Sequence, residues 1–244
     1  MFAVGTTSKN SAARTGTLTL GHGVVETPCF MTIATKGAVK TIDVPDLNAA
    51  GAEIILSNTY HLMLRPGVET LTAMGGLHAF MGWQKPILTD SGGYQVLSLA
   101  SMRKVSDDGV VFRSHIDGST HLLTPEKSQE VQQAIGSDIA MILDDLVDFP
   151  VTEQQAAAAL ERTLGWAKRQ RMWWDANKKD SRKMFGIVQG SIFPNLRHRS
   201  AEELIKIGFD GYAHGGLSVG EPRAESYALT ELVNNILPQD KPRY

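Results

Sequence analysis

Short apolar runs alternate along the chain with longer stretches in which apolar residues recur every three or four positions. The runs at 53–57 (Glu-Ile-Ile-Leu-Ser), 86–89, 139–143 (Ile-Ala-Met-Ile-Leu), 184–188 and 209–213 have the length of buried strands. The run at 139–143 is apolar on both faces, as a strand in a covered parallel sheet must be. Helical patterns lie between them, and their ends carry capping signals. Residues 45–50 suit a short helix closed by Gly51. Thr124-Pro125-Glu126 opens a helix that Gly136 ends, with threonine as cap and proline at the first helical position. Thr152 caps a long helix running to about Asn177, rich in good helix formers at 156–160. Further helices are expected at 195–207, stopped by Gly208, and at 222–236. The first part of the chain reads as β structure with turns at Gly16 and at Gly21-His22-Gly23. Residues 110–123 read as a hairpin about Asp117-Gly118, a type I′ turn signal. Strand–helix alternation of this kind implies βαβ units and a parallel sheet. Five or six units are visible where a closed (β/α) barrel needs eight, so the pattern leaves two architectures, an open doubly wound sheet or a barrel cut short.

Composition narrows the class of protein. The 244 residues suffice for one large domain, with no linker-like boundary, and 42% hydrophobic with 20% charged residues is an ordinary globular balance. No apolar run is long enough to span a bilayer and the N-terminus lacks a signal-peptide pattern, so a cytoplasmic protein is expected. The single cysteine, Cys29, rules out an internal disulfide and a multi-cysteine metal site, and its apolar neighbours suggest a small core residue. Net charge is −2, so binding to nucleic acid would need a local patch. The stretch 162–183, with Lys168, Arg169, Arg171, Lys178, Lys179 and Arg182, is the candidate, although a solvated helix face explains such a run as well.

Functional groups in parallel α/β folds collect at the carboxyl ends of strands. Five expected strands hand over to polar or glycine-rich groups: Asn58-Thr59-Tyr60-His61, Asp90-Ser91-Gly92-Gly93-Tyr94-Gln95, Asp144-Asp145, Gln189-Gly190 and His214-Gly215-Gly216-Leu217. One such case is commonly a helix cap; five in phase point to a shared pocket. Asp90, Asp144 and Gln189, with backbone groups at Gly216 and Leu217, suit the donor and acceptor edge of a guanine-like ring. Tyr94 is suited to stacking on a flat base, and adjacent carboxylates suit proton transfer because each raises the other's pKa. The Gly92-Gly93 and Gly215-Gly216 pairs allow close approach to the backbone. Other features read as structural. Gly215 to Gly220 matches no phosphate-loop pattern. The seven histidines show no metal-ligand spacing, and Trp166, Trp173 and Trp174 are expected to pack.

On these residues the chain resembles the tRNA-guanine transglycosylase (queuine tRNA-ribosyltransferase) family. The resemblance rests on Glu-Thr-Pro-Cys-Phe-Met at 26–31, the Asn-Thr-Tyr-His segment at 58–67, Leu-Thr-Asp-Ser-Gly-Gly-Tyr-Gln at 88–95, and Gly-Ser-Asp-Ile-Ala-Met-Ile-Leu-Asp-Asp at 136–145. It continues with Phe-Gly-Ile-Val-Gln-Gly at 185–190, residues 208–221 and Asp-Lys-Pro-Arg-Tyr at 240–244, in order from one end to the other. It implies a (β/α)8 TIM barrel that exchanges guanine at the tRNA wobble position for a 7-deazaguanine, preQ1 or queuine. It implies that Asp90 is the general acid/base, that Asp144, Gln189, Gly216 and Leu217 hold the base with Ser91, Gly92 and Gly93 beside it, that Tyr94 stacks on it, and that Glu221 supports the 216–217 peptide. Partners implied are tRNA, guanine and the incoming base, with a homodimer as the family's assembly. Leu143-Asp144-Asp145-Leu146 departs from the common bacterial Phe-Asp-Glu-Cys, while Val219 leans toward preQ1.

The resemblance also implies that family members continue past 241–244 into a strand bearing the aspartate nucleophile, and then a Cys-x-Cys-x-x-Cys…His zinc site. The chain is therefore expected to be a C-terminally truncated bacterial-type member, a single partial barrel domain over 1–244 without metal or cofactor of its own and impaired in exchange. The second expectation is a non-catalytic base- or tRNA-binding subunit that pairs with a complete enzyme.

Overall fold

The computed structural model describes residues 1–99, 103–178 and 181–244. Strands β1 (Phe2–Thr7), β2 (Arg14–Leu20) and β3 (Gly23–Thr27) form an antiparallel sheet. The turn at Gly21-His22 lies where the sequence places it. Gly16 does not turn the chain; it sits inside β2, paired with Val4 on one side and Thr27 on the other. The Phe2 ring lies 2.5 Å from where a side chain at Gly16 would begin, so the glycine serves close packing. The chain then enters β4 (Thr32–Ile33), α1 (Val44–Ala49), β5 (Ile55–Asn58), α2 (Thr59–Leu62), α3 (Val68–Ala73), α4 (Leu77–Met81), β6 (Ile87–Asp90) and α5 (Gly93–Leu99).

A second antiparallel sheet comes next, of β7 (Arg103–Ser106), β8 (Gly109–Arg113) and β9 (Thr120–Leu123). The expected hairpin is present as β8–β9, but its connection is six residues long. Ser114 N–H bonds the Ser119 carbonyl at 2.8 Å, and Gly118 has positive φ (74°) while Asp117 does not. A type I′ turn needs both. Asp117 instead accepts from Ser119, at 3.1 Å from the backbone N–H and 2.7 Å from the hydroxyl. The third strand, β7, carries no alternation strong enough to announce it.

The remaining elements are α6 (Pro125–Ile135), β10 (Ile139–Met141), α7 (Glu153–Asn177), β11 (Lys183–Val188), α8 (Pro194–Ile207), β12 (Gly211–His214) and α9 (Arg223–Ile236). Local chemistry sets their ends. The Thr124 hydroxyl accepts from Lys127 N–H, and Gly136 closes α6 in the left-handed conformation. Thr152 and Gln155 form a capping box at the start of α7.

Six parallel strands lie in the order β12-β11-β10-β6-β5-β4. That order follows the chain without reversal. A doubly wound sheet reverses direction at a switch point; this one does not, and it curls as a half-barrel. Past β12, Arg243 makes a parallel bridge to Tyr212. Helices pack on their sequence neighbours, α6 on α7, α7 on α8 and α8 on α9. The main core lies between these helices and the sheet, with Ile139, Ile142, Met184, Val188, Leu160, Leu164 and Leu204 among its buried members. Trp166 and Trp174 are fully buried, as expected of packing residues. Among the described residues, no helix is long and apolar enough to cross a membrane.

Candidate active site

β6, β10, β11 and β12 end on one side of the sheet, and the loops leaving them surround a cavity of about 380 Å³. Asp90 closes β6, Asp144 lies just beyond β10, Gln189 comes directly after β11, and Gly215-Gly216-Leu217 directly after β12. Ser91, Gly92, Gly93 and Tyr94 form the wall at the start of α5. Tyr94 is 53% exposed, leaving its ring available for stacking. Gly93 is required by proximity: a Cβ there would stand 2.8 Å from the Asp144 carbonyl and 3.0 Å from its carboxylate.

The two carboxyls are held near neutrality. Burial and the neighbouring Asp144 charge push Asp90 up to about 7. Burial raises Asp144 to about 6, against the hydrogen bond that Gln189 donates to it (Nε2 to Oδ2, 2.5 Å) and with a contribution from Asp145. Asp145 points elsewhere and pairs with Arg162. An acid of this kind holds or releases a proton at physiological pH, which an ordinary surface aspartate does not.

The loop after β12 supplies backbone donors. Gly216 has φ of 62° and Ser218 φ of 60°, both left-handed. Glu221 occupies two of the loop's N–H groups, accepting from Ser218 N–H at 2.5 Å and Val219 N–H at 3.0 Å, and also accepts from the Ser226 hydroxyl. Partial burial opposes its charge, but these bonds outweigh that and lower its pKa to about 2. Glu221 therefore braces the peptides at 217–218 and 218–219, and the expectation that it supports the 216–217 peptide is corrected by one residue. It does not line the cavity, and neither does the Asn58-Thr59-Tyr60-His61 group that follows β5, which the strand-end pattern assigns to the shared pocket. The Gly216 carbonyl is likewise not free: Arg197 holds it.

Sequence reading missed Tyr244 and Arg197. Tyr244 lines the cavity, and burial together with the Asp90 charge raises its phenol pKa. No strand pattern precedes it, so only the fold brings it to Asp90. It also missed a cluster at the opposite end of the sheet. His22 and His78 stack with ring centroids 3.6 Å apart over Asp138, and the three residues bring ligand-capable atoms within 4.8 Å of one another. They come from the β2–β3 turn, α4 and the approach to β10, so no spacing in the sequence links them. Asp138 accepts from His22 N–H (3.0 Å), the His22 ring (2.9 Å) and Ile87 N–H (2.9 Å), with the His78 ring at 3.3 Å. Its oxygens are thus engaged in joining three elements.

Two other expectations change. Cys29 is exposed, because the loop between β3 and β4 turns Cys29 and Phe30 outward despite their apolar neighbours. The lone cysteine also cannot supply a Cys₃His zinc centre. Part of the basic run is paired: Arg162 with Asp145, Arg169 with Glu126, Arg171 with Asp175 and Lys183 with Asp210. Lys179 lies outside the described residues.

A chain-ordered parallel half-barrel with an acidic pocket at its strand ends defines an α/β protein of the barrel-like kind. The sequence profile of queuine tRNA-ribosyltransferase matches residues 8–244. The chain belongs to that family. It is 50% identical over 245 residues to the queuine tRNA-ribosyltransferase of Zymomonas mobilis subsp. mobilis, an alignment covering 100% of this chain and 64% of that protein. It is 52% identical over 244 residues to the protein of that name from Desulforudis audaxviator (100% and 65%), and 49% identical over 243 to that from Moorella thermoacetica (100% and 64%). The chain thus spans just under two thirds of the length of these relatives.

Proposed function

We propose that this chain carries the base-recognition and proton-transfer machinery of a tRNA-guanine transglycosylase, which exchanges guanine at the tRNA wobble position for a 7-deazaguanine, preQ1 or queuine. The observation that carries the reading is the half-buried Asp90 and buried Asp144 lining one ring-sized cavity with the Gly215–Leu217 loop, where burial raises both carboxyls above the ordinary range. Guanine and its 7-deaza analogues present N1–H and a 2-amino group beside a carbonyl. In our reading the Asp144 carboxylate accepts from the N–H edge. Gln189 orients Asp144 and adds a polar contact. The N–H groups of Gly216 and Leu217 receive the carbonyl, and Tyr94 stacks on the ring over Ser91, Gly92 and Gly93. Asp90 takes or returns the proton when one base replaces another. Glu221 holds the loop in shape.

Exchange also needs a group that attacks the ribose C1′. Asp90 and Asp144 are the acidic side chains among the described residues lining the cavity, and both are assigned elsewhere. We infer that the 244-residue chain alone exchanges base slowly or not at all, and that the six parallel strands belong to a (β/α)8 barrel in which the segment at Arg243 starts a further strand. A cytoplasmic location and homodimeric assembly with tRNA as partner belong to the same reading.

Calorimetry with guanine and preQ1 tests the proposal. Both are expected to bind the folded chain, and Asp144→Asn to weaken guanine by roughly tenfold or more, the loss of a charge-assisted hydrogen bond. Absence of binding to folded chain overturns it. Labelled-guanine incorporation into tRNA at the rate of a full-length enzyme overturns the inference about exchange.

A further inference from the structure

We propose that Arg197 is a positioning residue for base recognition: its buried guanidinium holds the carbonyls of Gly215 and Gly216 away from the cavity and so turns the N–H groups of Gly216 and Leu217 into it. The inference rests on the base-recognition reading above and assigns the element that sets the donor pattern of that site.

Arg197, on α8, has no exposed surface. No ion pair involves it among the described residues, although the Glu221 charge bears on it. Its four contacts are carbonyl oxygens: Ser191 at 2.6 Å, Val188 at 3.4 Å, Gly215 at 2.9 Å and Gly216 at 3.1 Å. These carbonyls belong to two places only, the ends of β11 and β12, which carry Gln189 and the Gly215–Leu217 loop. Burying an arginine without a carboxylate is unfavourable, and a neutral side chain of similar size would fill the space. What the cation adds is orientation.

A trans peptide is planar, with its C=O and N–H pointing in opposite directions. The Gly215 carbonyl bonded to Arg197 therefore sends the Gly216 N–H the other way. The Gly216 carbonyl does the same for the Leu217 N–H. Two successive carbonyls reach one guanidinium because Gly216 is left-handed, a conformation glycine adopts without strain. Neither of these two N–H groups has a hydrogen-bond partner among the described residues, and both residues line the cavity. With Arg197 in place the loop offers two donors to a ring carbonyl. A flipped peptide would offer an acceptor there and would leave the guanidinium buried and unsatisfied.

Binding of guanine and of 6-thioguanine to the wild type, Arg197→Lys and Arg197→Met tests this. 6-Thioguanine keeps the N1–H and 2-amino donors and replaces the carbonyl by a weakly accepting thione. The wild type is expected to favour guanine by roughly fivefold or more, the loss of one good acceptor. Arg197→Met is expected to bring the two affinities within about twofold of each other, and Arg197→Lys to restore part of the preference. General loosening of the fold lowers both affinities together and leaves their ratio. A variant that keeps the wild-type preference overturns the proposal. Amide resonances cover the case in which the variants do not fold. In the wild type, guanine should shift Gly216 and Leu217 N–H downfield, and binding without that response also overturns it. If folded wild type binds neither base, the base-recognition reading itself fails.

Discussion

Two aspartates in this chain are unlike the rest, and the difference lies in where they sit. Asp90 ends β6 and Asp144 lies just beyond β10; burial raises both, with the Asp144 charge added at Asp90 and the Asp145 charge at Asp144, so both resist ionising. A carboxyl whose folded pKa lies above its unfolded value stabilises the fold relative to its ionised state at low pH, and that contribution is lost as pH rises. For Asp90 the window runs from the ordinary carboxyl range near 4 up to about 7. Asp90→Asn is therefore expected to raise the melting temperature at about pH 8 by several degrees, at roughly 2–4 °C per kcal/mol in a chain of this size, and to have little effect at about pH 4. Thermal melts of the two proteins across that range check it. A gain that is the same at both pH values would remove charge burial as the cause. The same substitution is expected to leave ring stacking at Tyr94 intact while abolishing proton transfer. Stability and chemistry therefore oppose each other at this one residue.

At the scale of elements, the two ends of the sheet are treated differently. The carboxyl ends carry strained loops and near-neutral acids. The amino ends are tied down, and Asp138 is the principal tie. Its side chain is 1% exposed and joins the β2–β3 turn, the start of β6 and α4 through the bonds of His22, Ile87 and His78. Burial opposes its charge, yet those hydrogen bonds bring its pKa below the ordinary value. A depressed carboxyl stabilises at neutral pH, and that stabilisation fades as pH falls through the folded value. Asp138→Ala is expected to destabilise by ~3 kcal/mol or more at about pH 7, since it orphans buried N–H donors, and by less below about pH 4. Urea unfolding at the two pH values measures this. An effect under about 1 kcal/mol at neutral pH would mean that the three elements hold together without the tie. The caps were legible at this scale because they are local: Thr124, Gly136, Thr152 and Gly208 each act within a few residues of themselves. Asp117-Gly118 misled because the same dipeptide also serves a longer loop in which the aspartate bonds forward to Ser119.

Over the whole molecule, the strand order decides what the site can be. Because the parallel strands follow the chain, the ends of β6, β10, β11 and β12 open on one cavity. The cavity is completed by Tyr244, held in place when Tyr212 N–H bonds the Pro242 carbonyl, His214 N–H the Tyr244 carbonyl, and Tyr244 N–H the Tyr212 carbonyl. Deleting residues 242–244 is expected to bare the β12 edge, lower guanine affinity and promote self-association through unpaired backbone groups. Sedimentation and calorimetry read both effects. A deletion variant that stays dispersed and binds guanine normally would show that this segment contributes nothing to the site.

The sequence by itself determined the class of the fold, the ends of most helices and the residues at the strand ends, because periodicity, caps and short polar handovers are written locally. It also determined that Asp90, Asp144, Gln189 and the Gly215–Leu217 loop share a pocket, since strands in a parallel sheet deliver their carboxyl ends to one side. Periodicity left an open doubly wound sheet and a barrel both possible, because alternation is identical in both; the resemblance implied the barrel, and the observed pairing order shows the curled half-barrel. Tertiary structure alone decided that Cys29 faces outward, that Arg162 and Arg169 of the basic run are spent on ion pairs with distant acids, and that His22, His78 and Asp138 meet. It placed Arg197 behind the Gly215–Leu217 loop, where a cation from one helix sets the direction of two peptides on a strand end. None of these leaves a mark in sequence spacing, because each depends on contacts between segments far apart along the chain.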